Sequence, residues 1–249
     1  MIFRQLFEPV SSTYTYLLGC AETGQAVLID PVVSCVERDL AELQRWGLTL
    51  AWTVDTHLHA DHITGALQLK LRTGSRIAMP EASRTTCADR GLAHGQPLQV
   101  GSLTLQPLAT PGHTDDHLAY ALPDRVFTGD ALLIDGCGRT DFQNGNAAQL
   151  YASVTGTLFA LPEDTLVYPG HDYQGRRVSS IAQEKARNPR LGNGRTLAEF
   201  EALMAELKLA PPRFIDYAVP GNKRCGVCPD PLPPELQRYC EQAFFGAQG

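Results

Sequence analysis

The run Thr56-His-Leu-His-Ala-Asp-His62 sets three histidines and an aspartate within six positions. Neutral imidazoles and a carboxylate are the donors that hold divalent transition metals, so the chemistry this cluster suggests is chemistry at a bound ion. His57 and His59 lie two apart, a spacing that turns both rings to one side of an extended backbone. Asp61 and His62 follow, Asp61 either as a ligand or as an acid/base group beside one. The bland alternative is a histidine-rich surface loop, and the flanks argue against it. An apolar strand-like stretch (Leu50, Ala51, Trp52, Val54) ends at the run and a helix-like one (Ile63, Ala66, Leu67, Leu69, Leu71) leaves it. The carboxyl end of a strand leading into a helix is where α/β proteins place reactive groups.

The same arrangement recurs further along. A β-rich run at 103–109 leads to Thr110-Pro-Gly-His113, another at 125–128 ends at Thr128-Gly-Asp130, and a third at 165–168 ends at Pro169-Gly-His171-Asp172. Strands ending on one sheet edge would gather His57, His59, Asp61, His62, His113, Asp130 and His171 despite their separation in sequence. His94 and His117 fall outside this pattern; His94 reads as a surface residue and His117 as packing or support.

The elements expected to carry these groups follow from hydrophobic period and breakers. β-runs are expected at 2–7, 14–20, 25–30, 49–54, 76–79, 97–100 and 117–122, besides those above. Helices are expected at 35–46, 62–73, 147–161, 175–187 and 196–209, the last opened by Thr196 with Glu199 three residues on. The tail from Phe214 to Cys228 reads as irregular, and a final short helix ends near Phe245. No linker is evident, so the expectation is a single domain over 1–249, with 211–249 as a C-terminal extension packed on it.

A chain of 249 residues with 43% apolar content can bury a sizeable core. Its net charge of -6 gives no general attraction to nucleic acid or an anionic membrane, which points to a small-molecule ligand. The first residues lack the pattern of a signal peptide, and no apolar stretch approaches a membrane span, so a cytoplasmic setting is expected. Seven scattered cysteines, an odd number, do not resemble a disulfide framework and are expected to be mostly reduced. Cys225 and Cys228 form a lone CxxC, for which no essential role is expected.

Thr56–His62 with His113, Asp130 and His171 resembles the metallo-β-lactamase superfamily. That resemblance implies an α+β fold, the αββα four-layer sandwich, with a metal site along one sheet edge. Four further segments, Gly136-Cys-Gly-Arg-Thr-Asp-Phe-Gln143, Tyr168-Pro-Gly-His-Asp-Tyr173, Asn188-Pro-Arg-Leu191 and Asp216 to Gly226, resemble the persulfide dioxygenases of that superfamily. These oxidise glutathione persulfide with O2 and water to sulfite and glutathione.

The narrower resemblance implies one Fe(II) per chain held by His57, His113 and Asp130, with His59, Asp61, His62 and His171 as surrounding groups that orient the ligands. Two imidazoles and one carboxylate leave positions open for a thiol-derived sulfur and O2. Glutathione carries two carboxylates and an ammonium, so a neighbouring pocket should offer arginine and tyrosine. Arg139 and Tyr173 are the leading candidates, with Lys223 and Arg224 behind them. The resemblance also leaves room for a homodimer and for an upstream enzyme that produces the persulfide. The alternative within the superfamily is a hydroxyacylglutathione hydrolase, a binuclear zinc thioesterase that can use all seven donors. From another class, a non-catalytic sulfur carrier would hold persulfide on Cys225 and Cys228.

Overall fold

In a computed structural model of the chain, the residues described are 1–232, 234, 237 and 240. They fall into two compact units, Met1–Gly91 with Gln99–Thr104 and Ala210–Gly249, and Leu92–Leu98 with Leu105–Leu209. The final helix expected to end near Phe245 lies largely outside the described residues.

The first unit is built on a six-stranded sheet in sequence order: β1 (Ile2–Glu8), β2 (Thr13–Gly19), β3 (Gln25–Ile29), β4 (Thr49–Val54), β5 (Arg76–Pro80) and β6 (Arg90–Leu92). β1, β2 and β3 are joined by short turns and pair antiparallel; β3, β4 and β5 pair parallel. Parallel neighbours need a crossover, and α1 (Val36–Arg45) and α2 (Ala66–Thr73) supply the two. Both helices pack on one sheet face, where Val36, Leu43 and Leu69 meet Leu17, Ala26, Leu28 and Leu50. Each valine or leucine side chain buried there contributes roughly 1.5–3 kcal/mol relative to exposure.

α2 begins four residues later than its apolar period suggested. Residues 62–65 spend their backbone groups elsewhere: Ile63 O accepts from Val33 N, Gly65 N donates to Pro31 O, and Thr64 bridges Val32. The loop carrying the histidines is thus stitched to the end of β3.

The tail expected to be irregular contains α6 (Ile215–Asn222), with Pro220 inside it. Proline costs the helix one backbone hydrogen bond. Burial of Phe214 and Ala218 against Val33 and Ile63 offsets that loss.

The cysteine expectation is overturned. Cys87 is bonded to Cys225 and Cys228 to Cys240, with Cα atoms 6.0 and 6.2 Å apart, while Cys20, Cys35 and Cys137 are free thiols. Folding brings together cysteines 138 residues apart, a pairing that spacing along the chain does not reveal.

The second six-stranded sheet is ordered β12-β11-β10-β9-β8-β7, and most of its residues belong to the second unit. Its strands are β7 (Leu98–Val100), β8 (Leu103–Ala109), β9 (Leu118–Leu122), β10 (Arg125–Gly129), β11 (Leu166–Pro169) and β12 (Ser179–Ser180). α3 (Ala147–Ser153), α4 (Ile181–Arg187) and α5 (Leu197–Glu206) cover it, burying Leu150, Ile181, Phe200 and Met204 with Ala119, Val126 and Val167. α3 passes into a π-type turn at Val154–Leu158, so the single helix expected over 147–161 is shorter than its pattern. α4 starts at Ile181 rather than 175 because Ser179 and Ser180 pair with β11 first. α5 carries the expected capping box between Thr196 and Glu199. No helix among the described residues is long and apolar enough to cross a membrane.

Candidate metal centre

In the first unit β4 ends at Val54 and the histidine run follows as a tight loop, with His57, His59 and His62 all buried. Asp30, at the end of β3 with φ +50°, organises this loop. Its carboxylate accepts from Thr56 N at 2.7 Å, from Thr56 Oγ1 at 3.0 Å and from His59 Nε2 at 3.1 Å. Since the single hydroxyl proton of Thr56 goes to Asp30, Thr56 Oγ1 must accept from His57 Nδ1, 2.9 Å away. This fixes the His57 tautomer with its lone pair on Nε2, the form a metal ligand requires.

His59 is differently placed. Burial alone would lower its pKa, but the carboxylates of Asp30, Asp55 and Asp61 and the hydrogen bond to Asp30 outweigh burial and push it up to about 10. Its Nε2–H is committed to Asp30, while its Nδ1 is buried without a hydrogen-bond partner. Asp61 Oδ2 lies 2.9 Å from His62 Nδ1, and His59, Asp61 and His62 each offer one donor within 4.8 Å of the others.

In the second unit the strand-end residues converge as the spacing suggested. His113 Nε2 lies 3.5 Å from Asp130 Oδ2, and His171 Nε2 lies 3.5 Å from Asp130 Oδ1. His113 Nδ1 donates to Arg139 O at 2.7 Å, which again leaves the lone pair on Nε2. Asp130 Oδ1 is buried and has no hydrogen-bond partner. A carboxylate oxygen in that state carries a desolvation cost that a bound cation would remove. Two glycines hold the space open: a Cβ at Gly170 would come within 2.6 Å of Asp130 Oδ1, and one at Gly138 within 2.7 Å of His113 Nδ1. These donors fit a divalent metal.

Several supporting residues lie outside the set of expected ligands. His117, expected as packing or support, accepts from Asp130 N through Nε2 at 3.1 Å and meets Thr110 Oγ1 through Nδ1 at 2.8 Å. It fixes the main chain of Asp130. Asp172 and Arg176 tie the turn after His171 to the loop after Asp130: the Arg176 guanidinium meets Asp172 Oδ1, Asp135 Oδ2 and Ile134 O. Asp30 carries the same signal as the residues that were picked out, since it too closes a β-run.

Of the expected substrate-binding residues, Arg139 has its guanidinium on Asp141 through two bonds of 2.6 and 2.7 Å and stacks on Phe142. Tyr173 is 76% exposed and lies parallel to the His171 ring, centroids 6.2 Å apart. Both belong to the second unit. Lys223 and Arg224, in the first unit, are exposed at the end of α6. His94 is exposed, as expected. Cys225 and Cys228 are each bonded to a different distant cysteine, which removes the CxxC thiol pair that a persulfide carrier would need.

Over residues 9–171 the chain matches the metallo-β-lactamase superfamily. The fold is accordingly of that α+β class, and its histidine and aspartate groups are metal-binding in character. The chain is 47% identical to "Persulfide dioxygenase ETHE1, mitochondrial" of Homo sapiens over 91% of this chain and 89% of that protein. A crystal structure of ETHE1 from Myxococcus xanthus superposes with a TM-score of 0.89 at 56% identity, covering 91% of this chain and 100% of that one. A hydroxyacylglutathione hydrolase of Rhodospirillum rubrum is 35% identical over 83% of this chain and 79% of that protein. The chain belongs to the persulfide dioxygenase family of the metallo-β-lactamase superfamily.

Proposed function

We propose that this protein is an Fe(II)-dependent dioxygenase that oxidises glutathione persulfide with O2 and water to glutathione and sulfite. The observation that carries this reading is the 47% identity to persulfide dioxygenases across 91% of the chain. The transformation balances as GSSH + O2 + H2O giving GSH, sulfite and two protons, the outer sulfur losing the electrons that O2 gains.

His57, His113 and Asp130 are the residues that would hold the iron. Iron, when bound, supplies the single-electron chemistry that lets O2 react with a thiolate sulfur. The chain's own part is preparation. Asp30 through Thr56 fixes the His57 tautomer, and Arg139 O does the same for His113. His117 holds the Asp130 main chain. His59, Asp61, His62 and His171 surround these ligands as orienting groups. The exposed face of Tyr173 offers a platform for the peptide, and Arg139, Lys223 and Arg224 offer cations for its carboxylates. Asp141 occupies the Arg139 fork, so a substrate carboxylate would share or displace it.

The test is oxygen uptake by iron-loaded protein given glutathione persulfide, with sulfite quantified and metal measured. About one iron per chain with stoichiometric sulfite supports the reading. The rival reading, a binuclear zinc thioesterase, draws on the presence of all seven donors and on the hydrolase relative. Two zincs per chain with thioester cleavage and no sulfite would establish it instead.

A further inference from the structure

The loop from His57 to Thr64 follows no regular hydrogen-bonding ladder, so its buried main-chain groups need partners from elsewhere. Its start is held by Asp30 and its end by the Pro31–Val33 segment. Its middle is held by one side chain from far along the sequence. Asn222, the last residue of α6, is 1% exposed, and its amide is fully used. Oδ1 accepts from Thr64 N at 2.9 Å, while Nδ2 donates to His59 O and His62 O, each at 2.9 Å. The partners fix the orientation, since two carbonyls can only accept and an N–H can only donate.

The turn after α6 is itself pressed onto the loop. Leu67 N donates to Cys225 O, and Cys225 is bonded to Cys87. Gly226, at φ +96°, lies so near that a Cβ there would come within 2.2 Å of Thr64 O.

We propose that Asn222 is a positioning residue for the metal-binding loop. Its three hydrogen bonds set the main-chain course on which His57, His59 and His62 sit, without contacting substrate or ligand atoms. The proposal deepens the functional reading above and rests on it only in taking His57 as a ligand. Asparagine suits the task because it carries two donors and an acceptor in one plane on a short stem; aspartate keeps the acceptor and loses both donors.

The test uses the full chain and two variants, N222A and N222D. In metal-free protein, amide exchange across residues 57–64 should accelerate at least tenfold in both variants, while exchange in β9 and β10 stays as in the wild type. In metal-loaded protein, release to a chelator should speed up by roughly 10–100-fold, the range typical of losing an outer support of a metal ligand. A merely structural role would lower the melting temperature and leave exchange and release in the folded protein unchanged, and that result would overturn the proposal. Should both variants fail to fold, the wild type still decides. Both Nδ2 protons of Asn222 should exchange slowly, and rapid exchange would overturn the clamp. A wild type that binds metal but produces no sulfite would sink the dioxygenase reading and leave the clamp standing.

Discussion

Asp130 combines a buried carboxylate oxygen without a hydrogen bond, a main-chain N–H held by His117, and imidazoles of His113 and His171 at 3.5 Å. Such a carboxylate is costly to keep in the fold unless a cation joins it. His113→Ala and Asp130→Ala are therefore expected to lose bound metal and turnover together, measured as metal per chain and oxygen uptake; variants keeping both would remove these residues from the ligand set. Arg139 makes a different prediction, because its carbonyl serves His113 and its side chain does not. Arg139→Lys keeps that carbonyl and so should keep the metal. It loses a planar two-point contact to carboxylates, and KM for glutathione persulfide should rise about tenfold, on the ~1.5–3 kcal/mol scale of charge-assisted hydrogen bonds. Unchanged KM would confine Arg139 to its pairing with Asp141.

At the scale of elements, the site is a set of strand ends and the turns that follow them. That much was legible, because β-runs closing on Gly or Pro turns with histidine or aspartate are local patterns, and β10 and β11 end where the patterns end. His117 was legible as packing or support but its partner was not, and Asn222 was not legible as a support at all. Their roles depend on partners 13 and 158–163 residues away, and neither stands at a position whose type or spacing differs from ordinary packing. The turn between β11 and His171 makes the element-scale prediction. Gly170→Ala would place a methyl 2.6 Å from Asp130 Oδ1, so metal content should fall with little change in far-ultraviolet circular dichroism. Full metal content in that variant would show that the turn can yield. The Cys87–Cys225 bond acts on another element, closing a long loop onto the end of α6. Cys87→Ser with Cys225→Ser should cost about 2–5 kcal/mol of stability by the loop-closure argument. A urea titration in non-reducing buffer measures it, and a midpoint equal to the wild type's would show that packing alone seats the turn.

At the scale of the whole molecule, net charge near -6 and a 43% apolar composition speak to solubility and core size but not to how stability responds to pH. One buried carboxyl outside the metal-binding loops gives a pH dependence of its own. Asp39 on α1 is fully buried; Arg38 meets its Oδ1 at 2.8 and 2.9 Å, and its Oδ2 has no hydrogen bond. Burial raises the carboxyl from 3.8 to about 6 despite the Arg38 charge beside it. Between those two values the folded chain holds a proton that the unfolded chain has released. The contribution of this group is therefore complete below pH ~4 and is lost as pH rises through about 6, amounting to roughly 3 kcal/mol at 1.36 kcal/mol per unit of pKa. Asp39→Asn removes the titration. It also leaves Arg38 without its carboxylate, but that cost is the same at every pH in this range because arginine stays charged. Urea unfolding of both proteins at pH 4.5, 5.5, 6.5 and 7.5 should show the variant gaining on the wild type as pH rises and the difference levelling above pH ~7. Parallel stability curves would mean that the Asp39 carboxylate is solvated or paired well enough to ionise normally inside the fold.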